Sequence, residues 1–248
     1  MFSKVSFIPF FLLGLCLLSC SVKEQRSLCP CALRIELKDV PGPVNLWVLA
    51  GDFQENYHAR KDTVMVVQVP KGKIRLQAVA GAAMEARQNL RIPVGYECPP
   101  VYLYSSLVDT GRDSTAVSVT LNKHFCTLSL VFDGPPGWGE PYWAEVRGRV
   151  GGLSWEGTPD PGIFSCRLDA GLSVRLPRQE PEQELWLDIA MPDRVVRSFA
   201  LGSYMLQAGY DWRAPDLDDM PLEIRLSVTE ILLHSRQWSQ IVPINMDI

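Results

Sequence analysis

Catalytic signatures are absent from this 248-residue sequence. Its three histidines, His58, His124 and His234, are scattered among strand-like and turn-like stretches. There is no Gly-x-Ser-x-Gly, no His-Glu-x-x-His, no phosphate-binding loop and no dinucleotide fingerprint, so the usual marks of hydrolases, zinc proteases and nucleotide-binding enzymes are missing. Glu180 and Glu182 sit among prolines and glutamines, where exposure is the default, and paired carboxylates alone do not make a glycosidase. Positive charge is not in excess either: 24 Lys and Arg face 28 Asp and Glu, a formal net charge of −4. A mildly acidic chain does not supply the basic face that phosphate backbones require, which argues against nucleic acid as a partner. After residue 20 no apolar run is long enough to span a bilayer as a helix. No amphipathic helix of useful length is legible. Cys29-Pro30-Cys31 has no matching Cys or His pair downstream, so a zinc site is not expected. No catalytic residue, metal site or cofactor is predicted.

What is present starts at the amino terminus. Lys4 precedes an uncharged, mostly apolar run of 14 residues, Val5 to Leu18. This is the layout of a secretion signal, too short for a membrane span of about 20 residues. Leu17-Leu18-Ser19-Cys20 closes it, and a leucine, two small or apolar residues and a cysteine resemble the bacterial lipobox. That resemblance implies cleavage before Cys20 and acylation of its thiol. Acyl chains contribute about 0.8 kcal/mol per buried methylene, and more than one gives stable anchoring. Residues 1–19 are therefore predicted to be a signal peptide, and residues 20–28 a short polar tether. Loss of Lys4 makes the mature charge −5. Five cysteines follow the tether or end it: Cys29, Cys31, Cys98, Cys126 and Cys166. An oxidising compartment would allow disulfides, but Cys29 and Cys31 are too close to bridge without strain, and at least one of the five is expected to be a buried thiol.

From Cys31 onward the period is two. Cys31, Leu33, Ile35 and Leu37 alternate with Ala32, Arg34, Glu36 and Lys38, the pattern of a half-buried strand. Further strands are predicted at 44–50, 63–69, 74–80, 90–93, 101–107 and 115–121. A second block begins at Asn122-Lys123-His124. Its predicted strands are 125–132, 142–150, 163–168, 172–176, 184–191, 195–201, 220–226, 228–233 and 240–248. Residues 157–162 read as a proline-rich loop, and the helix-period stretches at 81–88, 201–207 and 217–220 are short. Many short strands separated by some of the 19 prolines and 18 glycines indicate an all-β chain of two tandem β-sandwiches, residues 29–122 and 123–248.

In the second block a series of short motifs appears in order: Leu121-Asn122-Lys123-His124-Phe125, Leu176-Pro177-Arg178-Gln179, Leu185-Trp186-Leu187-Asp188, Leu201-Gly202-Ser203-Tyr204, Gly209-Tyr210-Asp211-Trp212, Leu217-Asp218-Asp219 and Gln237-Trp238. Together with the opening Cys29-Pro30-Cys31-Ala32-Leu33 they resemble the fimbrillin-A-associated anchor proteins, the FimB-like lipoproteins of Bacteroidales fimbriae. The resemblance runs from Cys20 to Ile248. It implies two transthyretin-like β-sandwiches, an outer-membrane location at the base of a fimbria, a fimbrial stalk subunit (fimbrillin) as partner, attachment to the membrane through the N-terminal lipid, and no catalysis. The alternative is a surface lipoprotein adhesin, a fimbrial tip protein or a glycan-binding module, with Trp138, Trp143 and Trp155 as ligand platforms.

Several residues carry bland readings beside these. Trp212 and Trp238 suit core packing. Asp211 suits a turn, and Asp216, Asp218 and Asp219 lack the glycine and distal glutamate of a calcium loop. Arg178 is expected in a charged pair whose partner the sequence does not name. At the carboxyl end Val242, Ile244, Met246 and Ile248 alternate with Pro243, Asn245 and Asp247, giving one strand face an apolar row. In the resembling system stalk pilins lose their first strand and receive one from a neighbour. An anchor that keeps Cys20 keeps 31–37 in its own slot, so 240–248 becomes a candidate strand donor. The competing reading makes it the last strand of its own sandwich.

Overall fold

The computed structural model describes residues 29–60, 63–133, 143–169, 173–181, 184–191, 194–226, 230–234 and 239–243. Cys20, Trp138, Trp238, Ile244, Met246 and Ile248 lie outside them. Among the described residues the protein is almost wholly β, with four sheets and one short helix.

The first half builds two sheets. β1 (Cys31–Leu37) lies between β4 (Val64–Val69), to which it is antiparallel, and β8 (Ser114–Val119), to which it is parallel. Its alternation is used as read: Cys31, Leu33, Ile35 and Leu37 are fully buried. The second sheet runs β3 (Phe53–Ala59), β2 (Val44–Ala50), β5 (Lys73–Ala80), β7 (Tyr102–Asp109) and β9 (Asn122–Lys123), all antiparallel. Its central strands are covered on both faces. Leu46, Val48, Leu76 and Ala78 pack toward β1, while Trp47, Leu49, Val79 and Leu103 join a cluster that continues into the second half. Burial on two faces explains why β2 and β5 read as near-continuous apolar runs.

The second half repeats the wiring strand for strand. β10 (Phe125–Asp133) lies between antiparallel β13 (Ser173–Pro177) and parallel β16 (Met220–Leu226). The opposing sheet runs β12 (Pro159–Asp169), β11 (Trp143–Leu153), β14 (Leu185–Met191) and β15 (Arg194–Phe199). Two additions break the symmetry. A hairpin, β17 (Glu230–His234) and β18 (Ser239–Pro243), extends the β10 sheet beyond β16, and helix α1 (Leu201–Gln207) packs against β14 between β15 and β16.

The segment between β5 and β7 crosses from one half to the other. β6 (Leu90–Arg91) pairs with β11 at Gly152 and Leu153. A Cβ on Gly152 would lie 2.0 Å from the Leu90 carbonyl oxygen, so only glycine admits this approach. Further along, Gly95 N–H donates to Ser165 O and Cys98 N–H to Arg175 O.

Three differences from the sequence reading have simple causes. Residues 53–59 form β3, an edge strand whose exposed Gln54, Glu55, Asn56 and His58 hide its pairing with β2. β12 begins at Pro159, inside the expected loop, because its prolines fall on a sheet edge. The 201–207 stretch is a helix, with Leu201 and Met205 buried one turn apart.

Candidate functional site

Two places bring the singled-out residues together: the slot that holds β1, and the junction where Asn122-Lys123-His124 meets the second half.

In the slot, β1 is bonded on both sides. Its ladder to β4 closes with Leu37 N–H to Thr63 O, and its ladder to β8 opens with Ala32 N–H to Asp113 O. The strand is thus a structural centre, and the slot is filled by the protein's own chain.

At the junction, Arg178 follows β13 and turns inward. It is 7% exposed. Its Nη1 donates to the carbonyls of Trp212 (2.6 Å) and Ala214 (2.7 Å), its Nη2 to Pro215 O (2.8 Å) and Lys123 O (3.4 Å), and its Nε to His124 Nδ1 (3.1 Å). The expected charged pair is instead a cradle of carbonyls and one imidazole. Burial, with the Arg178 guanidinium alongside, holds the His124 pKa down at about 4, so the ring is neutral and accepts from Arg178. Gly157 seals the ring's other side. Its φ is +89°, and a Cβ there would lie 2.6 Å from His124 Cε1.

The acidic residues of this loop hold chain rather than metal. Asp216 accepts from Lys123 N–H (2.7 Å), Asp219 from Thr127 N–H (2.7 Å) and Lys123 Nζ (2.6 Å), and Asp211 from Arg213 N–H (2.8 Å). Burial works against the charge on Asp219, yet Lys123 and the Thr127 amide keep its carboxyl below the usual range. Among the described residues no group of three His, Cys, Asp or Glu side chains could hold a metal ion. Trp212 is 2% exposed and meets Tyr210 edge-on at 4.7 Å between centroids. A cleft of about 540 Å³ opens beside Arg178, Gln179 and Trp212. The Arg178 donors are taken up by carbonyls of Trp212, Ala214 and Pro215, which line the same cleft.

Cys29, Cys31, Cys98, Cys126 and Cys166 are all free thiols. Burial pushes Cys98 up to about 12 and Cys126 to about 11, which leaves them protonated and unreactive.

Of the tryptophans offered as ligand platforms, the two described ones each carry an arginine. Trp143 carries Arg167 over its ring at 4.3 Å, and Trp155 carries Arg75 at 4.7 Å. Val242, in β18, is paired with Ile231 of β17. Strands were expected at 90–93, 228–233 and 240–248, but the crossing of 84–98 to the second half and the place of the hairpin beyond β16 escaped sequence reasoning. The prolines Pro93, Pro99 and Pro100 disguise the first, and the second reads as ordinary strands.

The sequence matches no protein-family model and no curated protein. Solved structures do share its fold. A candidate polysaccharide-binding protein from Bacteroides thetaiotaomicron aligns over 86% of this chain and 98% of its own, with 15% identity and a TM-score of 0.64. A candidate adhesin from Bacteroides ovatus aligns over 86% and 95%, at 12% identity and a TM-score of 0.64. The fimbrial anchor protein Mfa2 from Porphyromonas gingivalis aligns over 85% of this chain and 99% of its own, with 12% identity and a TM-score of 0.62. The chain therefore has the fold found in a Bacteroidales fimbrial anchor, in keeping with the resemblance carried by its motifs.

Proposed function

We propose that this chain, built on the fold of a fimbrial anchor, is a non-catalytic lipoprotein that holds the base of a fimbria on the outer membrane. Cys20 carries the lipid, residues 20–28 give stand-off, and two tandem units, 29–122 and 123–248, follow. The observation that carries this reading is β1 seated in its own slot between β4 and β8. A subunit whose slot is filled from within does not need a strand from a neighbour, and is suited to the end of a polymer that meets the membrane.

Contact with the first stalk subunit (fimbrillin) is assigned to the carboxyl end. The hairpin β17–β18 lies outside the wiring that the two halves share, so a complete sandwich exists without it. Val242, Ile244, Met246 and Ile248 would supply side chains to the partner's groove while backbone bonds supply affinity. The adhesin, tip or glycan-binding reading is less well supported, because arginines cover the rings of Trp143 and Trp155.

Two variants test this. Cys20→Ala is expected to release the protein, and its fibres, from the membrane. Deletion of 241–248 with Cys20 intact is expected to leave a folded, membrane-bound protein that sheds fibres. Palmitate entering the Ala variant would remove the lipid assignment. A truncated protein that still retains fibres would remove the strand-donor assignment, and an unfolded one would make the strand part of the core.

A further inference from the structure

Among the described residues the edges of the sheets are managed differently, and β4 is an open one. The residues of β3 facing solvent are polar or charged, β12 carries Pro159 and Pro161, and β8 shows only Ser114, Ala116 and Ser118 outward. β4 has none of these devices. From Thr63 to Val69 there is no charge and no proline, and Val64 and Val66 are 51% and 62% exposed. An unguarded, β-branched edge is a template for another strand.

The register states which backbone groups are on offer. Leu37 N–H bonds Thr63 O, and the partners descend from there to Cys31 opposite Val69. Bonding alternates along an antiparallel ladder, so Thr63, Met65, Val67 and Val69 face β1, while the N–H and C=O of Val64, Val66 and Gln68 point outward.

The repeated half shows what such an edge takes. β13 occupies in the second half the place of β4 in the first. The protein covers β13 with its own crossing segment: Cys98 N–H donates to Arg175 O (2.9 Å), Arg175 Nε returns a bond to Cys98 O (2.9 Å), and Glu97 pairs with the Arg175 guanidinium. The cover is a non-strand stretch of main chain with a carboxylate beside a basic residue. At β4 basic residues flank the edge and no described segment covers it: exposed Arg60 precedes the strand and exposed Lys73 follows it, while Lys71 is held by Asp113 (2.6 Å). Pairing of β4 with β4 of a second copy, centred on Val66, would set Arg60 of each beside Gly72 and Lys73 of the other. Like charges placed opposite are destabilising, so the edge disfavours itself.

We propose that β4 is a docking edge for an extended segment of another protein, one with alternating apolar side chains and carboxylates at its ends. It would bond to Val64, Val66 and Gln68 and enlarge the β4–β1–β8 sheet by a strand. The surface is distinct from the carboxyl-terminal hairpin and independent of the lipid.

The probe is an acetylated, amidated peptide, Asp-Asp-Val-Thr-Val-Thr-Val-Asp-Asp, with a lysine-flanked counterpart. Binding to the whole chain is read by fluorescence anisotropy, with hydrogen exchange at single-amide resolution. The acidic peptide is expected to bind about tenfold or more tightly than the lysine-flanked one, and to slow exchange at Val64, Val66 and Gln68. Val66→Pro removes one outward N–H without touching the ladder to β1, and is expected to weaken binding about tenfold. If that variant does not fold, Val64→Asp with Val66→Asp serves instead. No binding, equal binding of both peptides, or protection at other strands would overturn the proposal. So would a concentration-dependent dimer that Val66→Pro abolishes, which would make the occupant a second copy.

Discussion

The two halves of the molecule use one wiring and finish it differently. In each, the first strand enters the middle of a sheet, antiparallel to the fourth strand and parallel to a late one, while a four-strand antiparallel core closes the other side. The first half stops there and, among the described residues, has no strand beyond β4. The second half has its β13 edge covered, its loops locked by Arg178, and two strands added past β16. The difference teaches that a central first strand belongs to the framework, while the departures sit at sheet edges and ends, where contacts to other molecules can be added without altering the core.

The largest effect that would break this comparison lies in β1. Leu33→Ala with Ile35→Ala removes two fully buried side chains, each expected to cost about 2–5 kcal/mol, enough together to unfold the first half. Loss of circular dichroism and protease resistance checks it. A double variant as stable as the parent would show that the slot does not depend on its own strand.

A middle-sized effect is expected at the junction. Arg178→Met leaves several buried carbonyls without a donor and is expected to cost on the order of 3 kcal/mol. Calorimetry then sharpens the comparison. With 29–122 and 123–248 as separate units, a second transition moves alone. A single transition moving as a whole would merge them, through the apolar cluster to which both contribute.

The last effect, of about the same size, is one of pH. The folded protein holds His124 at about 4, below the ordinary 6.5, so folding favours the neutral ring. That contribution is complete above pH 6.5 and is lost as the pH falls through 4, on the order of 3 kcal/mol in full. Denaturant midpoints between pH 7 and pH 4 should fall, and His124→Gln should flatten the slope. A parent midpoint unchanged over that range would place the ring proton elsewhere.

Strands with a clean solvent face, such as β1, were legible because alternation and burial coincide. β2 and β5 were legible as apolar runs, although nothing in them says that Trp47 and Leu49 serve a cluster shared with the second half. The partner of Arg178 was invisible, because it is a set of main-chain carbonyls 34 to 37 residues away. The repeated wiring was invisible too, since it is a matter of pairing partners and not of side-chain identity. The grip of Asp216 on Lys123 and of Asp219 on Thr127 was invisible too, because it depends on closure over more than 90 residues.

The parallel partner of β1 lies about 80 residues downstream, and that of β10 about 90. Closing loops of that size is slow, and parallel pairing must wait for it. Thus the first strand synthesised in each half is among the last to be locked. As the chain is synthesised β1 emerges without its parallel partner, and only the arrival of residues 114–119 completes its sheet. Until then the earliest segment is the most exposed to proteases and to stray strands, so the speed with which β8 arrives sets how many chains fold intact.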